Sequence, residues 1–300
     1  MVRGDRFLTG GYYKYILGNT TVLVLNTNLY YSGNAAYFNF TNKDDPAGQF
    51  AFMESELKSA VNCRKAPNAG CSSTVHIVAH IPPGAFERTP NFTWFRDEYN
   101  EKFLKLTVDY ANVIGMMLFG HHHTDTFHLV KNNAGTAVQF VLMSPAVTPW
   151  FSSLDGAGAN NPAFRTYDVN LDWSFDEIVT YYVDLDKLNS QSNTPFIVEY
   201  SFKTAYGING SINLSTMNDL VDRLKTNDSL LMTYINYNSV LWQPSMPQGK
   251  YKCGQLCSIE FSDYPRYRNC LVQCNSSSFI GLNWILLISV ILGSLLHSVL

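Results

Sequence analysis

Over the first 120 residues, short apolar runs alternate with longer stretches in which apolar side chains recur at helical spacing. The run TVLVL at 21–25 is bounded by polar residues and reads as a buried strand. Asp45-Pro46 supplies a capping side chain and a first-turn proline for a helix whose Phe50, Met53, Leu57 and Val61 share one face. VHIVAH at 75–80 predicts a second strand, and 113–119 a third. Between them, 94–111 predicts a helix with Phe95, Tyr99, Phe103, Leu106 and Tyr110 along one stripe. This βαβαβ order implies an α/β fold with helices packed on a largely parallel sheet. From Thr126 the period shortens to two: 127–131 and 136–142 flank NNAG at 132–135 as a hairpin, and 164–169 and 177–183 follow as strands. Beyond Asp184 the chain turns helical and polar, with Met217, Leu220, Val221 and Leu224 in register after Ser215, and ends in a group of cysteines.

Composition narrows the class. With 46% hydrophobic and 15% charged residues, the 300-residue chain can bury a substantial core and is no disordered segment. A net charge of -3 leaves no broad basic surface, so a nucleic-acid polymer is excluded as a partner. A monomer is expected.

Three features point outside the cytosol. N-x-S/T sequons occur at Asn19, Asn39, Asn91, Asn209, Asn213, Asn227 and Asn275, which makes the chain a candidate glycoprotein. The six cysteines fall as Cys63 with Cys71, and as Cys253, Cys257, Cys270 and Cys274; no histidine accompanies the second group, so disulfides are expected rather than zinc. The last 22 residues, 279–300, carry no Asp, Glu, Lys or Arg and follow the small polar cluster NSSS at 275–278. That pattern reads as a glycosylphosphatidylinositol attachment signal with Asn275 or Ser276 as the anchor site; a retained single-pass membrane helix is the alternative. At the other end MVRGDR has no apolar run, so an exported chain is expected to have sequence upstream of Met1.

The candidate chemistry lies in the histidines. GHHHTD at 120–125 follows an apolar strand, and imidazole is the commonest nitrogen ligand for zinc and related ions. If the backbone there is extended, His121 and His123 project to one side about 6.6 Å apart at Cα, His122 points away, and Gly120 permits the turn off the strand. That spacing suits two metal ions, and it predicts that His121→Ala and His123→Ala abolish catalysis in a full-length form while His122→Ala affects it only mildly. His80 stands at the carboxyl end of its strand, before IPPG at 81–84, where open α/β sheets bind ligands. His76, four residues earlier and about 13 Å away, cannot share its metal and is expected to be structural. His128 and His297 are read as structural or incidental. No G-x-S-x-G occurs, and the cysteines look paired, so the sequence disfavours a serine or thiol hydrolase.

G-H-x-H after a strand, preceded by H-I-P-P-G, resembles the calcineurin-like dimetal phosphoesterases, and more specifically the acid sphingomyelinase family with its membrane-anchored phosphodiesterases. NTNLY at 26–30, DPAGQ at 45–49, AHIPPG at 79–84, GHHHTD at 120–125, PAVTP at 145–149 and NNP at 160–162 carry the resemblance in order along nearly the whole chain. It implies a metallophosphoesterase β-sandwich flanked by helices, of which this chain is the C-terminal half. The implied divisions are a catalytic part at 1–185, a helical cysteine-containing unit at 186–274 and a tail at 275–300. By resemblance, His80 and His121 hold one zinc and His123 the other, with two zinc ions per complete domain and no further catalytic residue identified. The family's D-x-H pair, bridging Asp and G-N-H-E have no counterpart; Gly4-Asp5 and Gly18-Asn19-Thr20 are poor substitutes. The family's third cysteine aligns near Asp263, so the resemblance favours Cys253–Cys257 and Cys270–Cys274. The implied activity is zinc-dependent hydrolysis of phosphodiesters, either sphingomyelin-like lipids or nucleotide phosphodiesters, at the cell surface. This chain alone is expected to be inactive. The alternative is a non-catalytic, glycosylated surface binding protein.

Overall fold

The computed structural model describes residues 5–191, 194–243 and 245–276. A short helix α1 (Asp5–Gly10) leads into the edge hairpin β1 (Tyr13–Leu17) and β2 (Thr20–Leu25). Then come α2 (Gln49–Lys65), β3 (Thr74–Ala79), α3 (Asp97–Asp109), β4 (Ile114–Phe119), β5 (Thr126–Lys131) and β6 (Ala137–Met143). These six strands form one sheet in the order β1-β2-β3-β4-β6-β5. The four central strands are parallel, while β1 and β5 run antiparallel at the edges. The expected βαβαβ order is present; Asp45 caps the 3-10 turn Pro46–Gly48 rather than α2, whose N-cap is Gly48, yet its carboxylate reaches into the first turn of α2 and accepts from the N–H groups of Phe50 and Ala51.

Alternation along the strands feeds two cores. Val141 and Met143 face one side with Leu23, Val75, Ile77 and the inner faces of α2 and α3. Phe140 and Leu142 face the other. There they pack with Phe175 and Ile178 of a three-stranded sheet, β9 (Ala163–Val169), β10 (Phe175–Tyr182) and β11 (Ile197–Ser201), so the two sheets share one core. A small ladder of β7 (Trp150–Ser152) and β8 (Gly158–Asn160) precedes β9, and α4 (Leu185–Ser190) joins β10 to β11. Helices α5 (Phe202–Tyr206), α6 (Leu214–Thr226) and α7 (Asp228–Asn238) bury Phe202, Met217, Leu220, Leu224 and Tyr234 in this second core. Asn213, not Ser215, caps α6, in a reciprocal box with Thr216.

The chain closes with α8 (Lys250–Glu260) and α9 (264–276). All six cysteines are bonded, Cys63 to Cys71 as expected, but the favoured C-terminal pairing is wrong: Cys253 bonds Cys274 and Cys257 bonds Cys270. Residues four apart on a helix lie on one face with nearly parallel Cα–Cβ vectors, which suits bridging to a facing helix rather than to each other. The two helices run antiparallel, so each C-x3-C pair meets the other at Cα separations of 5.9 and 5.7 Å.

Among the sequon asparagines, Asn19, Asn39, Asn91, Asn209 and Asn227 are exposed, while Asn213 and Asn275 are half-buried. No helix among the described residues is long and apolar enough to cross a membrane. The tail 279–300 and His297 lie outside the described residues.

Candidate active site

Parallel pairing sets the site. Because β3, β4 and β6 are neighbours and parallel, their carboxyl ends emerge together at one edge of the sheet. His80 follows the last residue of β3, GHHH follows β4, and the backbone pairs there: Gly120 N–H donates to His80 O at 3.0 Å, and Ala146 N–H, just beyond β6, donates to His123 O at 3.3 Å. Several family-like segments converge on the same edge. Thr27 Oγ1 accepts from the Ile81 N–H, Gln49 bridges the backbone of Asn26, and Asn160 Nδ2 donates to His123 O at 2.7 Å. Gly84, the last residue of IPPG, has φ +99° and lies so close to His128 Nδ1 that a Cβ would clash.

His80 Nε2 and His121 Nδ1 are 3.1 Å apart. Trp94 sits edge-on to His121 with centroids 4.2 Å apart, Tyr31 lies 5.8 Å from His121, and Trp150 lies 5.2 Å from His123. Burial lowers all three imidazoles below the usual histidine value, His121 to about 3 with help from the neighbouring His122, His80 and His123. They are neutral at pH 7, the protonation state a metal ligand needs. His121 Nε2 and His123 Nδ1 are buried without a hydrogen-bond partner.

The segment is not extended. His121 and His123 carry φ of +69° and +61°, so the histidines themselves make the turn, and Gly120 has no left-handed φ. Non-glycine residues in this region cost about 1–2 kcal/mol each. His122 does point away, as alternation suggests, but it is not idle: it is 1% exposed, and its Nδ1 lies 2.7 Å from Glu87 Oε2. Glu87 also accepts from Thr124 Oγ1 at 2.5 Å and Asn238 Nδ2 at 2.8 Å, and Arg88 holds Asn238 in turn. Burial alone would raise the Glu87 pKa, but His122 beside it and these hydrogen bonds hold it well below the usual carboxylate range. An ionised Glu87 requires His122 Nδ1 to be the donor. Next in sequence, Asp125 pairs with Arg165 through Nε–Oδ2 at 2.9 Å and a second contact, and accepts from Thr180 and Tyr200.

Two groups of side chains are candidates for metal. Nitrogen ligands on a tetrahedral zinc with bonds of about 2.0–2.1 Å sit about 3.3 Å apart. The His80–His121 spacing of 3.1 Å is that of an imidazole–imidazole hydrogen bond and also lies near this value, while His123 stands apart from the pair with its buried Nδ1 unpartnered. The second group, Glu87, His122 and His128, has ligand atoms within 4.8 Å of one another. Its His122–Glu87 contact of 2.7 Å is too short for two ligands on one zinc and is the length of a charge-assisted hydrogen bond. That group is a buried polar cluster. His128 is fully buried against Pro83 O, and His76 accepts from the Met116 N–H at 3.1 Å; both are structural, as expected.

Comparison with known proteins places the chain beside a family of phosphodiesterases. Residues 136–277 match the acid sphingomyelin phosphodiesterase C-terminal region. The chain is 35% identical over 257 residues to human acid sphingomyelinase-like phosphodiesterase 3b, covering 85% of this chain and 54% of that protein. The chain is thus similar to the acid sphingomyelinase-like phosphodiesterases over most of its length. A human cyclic GMP-AMP phosphodiesterase is 30% identical over 270 residues, 88% of this chain and 57% of its own length. Sphingomyelinase phosphodiesterase C of Dictyostelium discoideum is 27% identical over 279 residues, 90% of this chain and 59% of its own. The chain spans about half the length of the relatives it matches. Glu87, Arg88, Asn238 and Arg165 escape the sequence reading of this site. Glu87 and Asn238 are separated by 151 positions, and only the fold brings them together.

Proposed function

We propose that this chain supplies the imidazole half of a zinc-dependent phosphodiesterase site, with His80, His121 and His123 as the ligands it contributes. The single observation that carries this reading is the pair of neutral imidazoles, His80 and His121, facing each other at 3.1 Å at the carboxyl ends of parallel strands. When bound, zinc supplies a Lewis acid for a phosphoryl oxygen and a water acidic enough to act as nucleophile near neutral pH. The chain's own residues hold that chemistry in place. Asn160 and Ala146 fix the main chain of His123, Gly120 fixes that of His80, and Trp94 and Trp150 shield the rings of His121 and His123 from water.

The substrate class is a phosphodiester, taken from relatives named for sphingomyelin-like and cyclic dinucleotide substrates. We further propose that the protein acts at the cell surface as a monomer. Three disulfides, the exposed sequons and the apolar tail support a glycosylated, lipid-anchored form. His80 and His121 are assigned to one zinc and His123 to the other, which leaves the first one ligand short and the second two ligands short of the three protein ligands that a catalytic zinc takes. The purified 300-residue chain should therefore bind well under two zinc ions and leave bis(p-nitrophenyl) phosphate intact. A form extended to the relatives' length should hydrolyse it and lose turnover on His121→Ala or His123→Ala. Full activity in those variants would refute the assignment.

A further inference from the structure

We propose that Glu87 is a positioning residue for the imidazole site, acting through His122 and Thr124 to hold His121 and His123 in left-handed backbone conformations. The inference rests on the reading of His80, His121 and His123 as zinc ligands. The geometry is specific. The two strained residues alternate with the two residues that Glu87 binds: His121 precedes anchored His122, and His123 lies between His122 and anchored Thr124. Beyond them Asp125 is fixed independently by Arg165, Thr180 and Tyr200. Glu87 is itself held from behind by Asn238, whose amide Arg88 grips from the other side.

A carboxylate at 0% exposure with three donors is a rigid anchor, because moving any donor leaves buried charge unsatisfied. Released from it, the backbone at His121 and His123 can relax to ordinary φ values, which turns the His121 ring away from His80 and the His123 ring away from Trp150. Glu87 touches no ligand ring nitrogen in its own right, since its hydrogen-bonded partners are His122, Thr124 and Asn238.

Zinc alone is the probe. Affinity of the purified chain is measured by competition with a chromophoric chelator, with far-UV circular dichroism and thermal midpoints recorded on the same samples. Glu87→Gln should weaken zinc binding at least tenfold in protein that remains fully folded at the assay temperature. Thr124→Val should weaken it severalfold, and Thr124→Ser, which keeps the hydroxyl donor, should restore it. A purely structural role would lower the midpoint without changing the affinity of the folded population. If Glu87→Gln does not fold, the Thr124 pair decides. Parent-like affinity in Glu87→Gln and Thr124→Val, with binding lost in His121→Ala and His123→Ala, would overturn the positioning role and leave the ligand assignment standing. Parent-like affinity in His121→Ala and His123→Ala would overturn the ligand assignment and this proposal with it.

Discussion

Replacing Glu199 by Gln should stabilise the protein at neutral pH and do nothing in acid. Glu199 lies on β11 with both carboxylate oxygens buried and without a hydrogen-bond partner, although its stem is half-exposed. Burial pushes its pKa from the usual 4.5 up to about 9; Arg165 opposes the shift, but that guanidinium is already engaged by Asp125. Between these values the folded protein holds a proton that the unfolded chain has lost, so stability falls as pH rises. The slope is about 1.4 kcal/mol per pH unit, so the cost is absent below pH 4.5, reaches about 3 kcal/mol at pH 7 and levels off near pH 9. Glutamine stays neutral throughout and escapes the cost. Urea denaturation of Glu199→Gln and the parent, with disulfides intact, should coincide at pH 4 and separate by about 3 kcal/mol at pH 7. A difference of the same size at both pH values, or a less stable variant at pH 7, would refute the reasoning.

Other outcomes follow from the same contacts. His122→Ala should cost about 3–5 kcal/mol of stability by stranding the buried Glu87 carboxylate; a chemical denaturation curve reads it directly. Tryptic digestion without reduction should release one species joining the peptide with Cys253 and Cys257 to that with Cys270 and Cys274, whereas local pairing would give two separate peptides. Cys257→Ser with Cys270→Ser should cost about 3 kcal/mol, from the 13-residue separation that bond spans. Phosphatidylinositol-specific phospholipase C should release the protein from cells, and retention after complete cleavage of a control would favour a membrane helix.

The order of the strands and helices on the main sheet was legible because burial there is simple. TVLVL and VHIVAH are central strands, and Asp45 announces α2 by accepting from its first-turn N–H groups. Strand β1 was missed because Tyr15, Ile16 and Leu17 are all exposed, which erases the alternation that marks a half-buried strand. The helix expected from residue 94 begins at Asp97, since Phe95 instead bridges Tyr31. At the site, the placement of His80 and His121 at adjacent strand ends was legible because both follow apolar strands directly. The backbone around His122 was not. Left-handed histidines have no sequence signature here, and their restraint comes from Glu87, Asn238 and Arg165, each far away in the chain. The cysteine pairing failed for a related reason: spacing shows which residues share a helix face, while the partner depends on the helix opposite.

Zinc K-edge X-ray absorption on the purified chain, loaded with less than one equivalent of zinc, interrogates the imidazole site itself. The spectrum should show nitrogen or oxygen neighbours at about 2.0–2.1 Å with the outer scattering of at least two imidazoles and no sulfur. That imidazole signal should fall in His80→Ala and in His121→Ala, and persist in His128→Ala. Sulfur ligation, or an imidazole signal unchanged in both His80→Ala and His121→Ala, would contradict the assignment of the paired imidazoles as the zinc site.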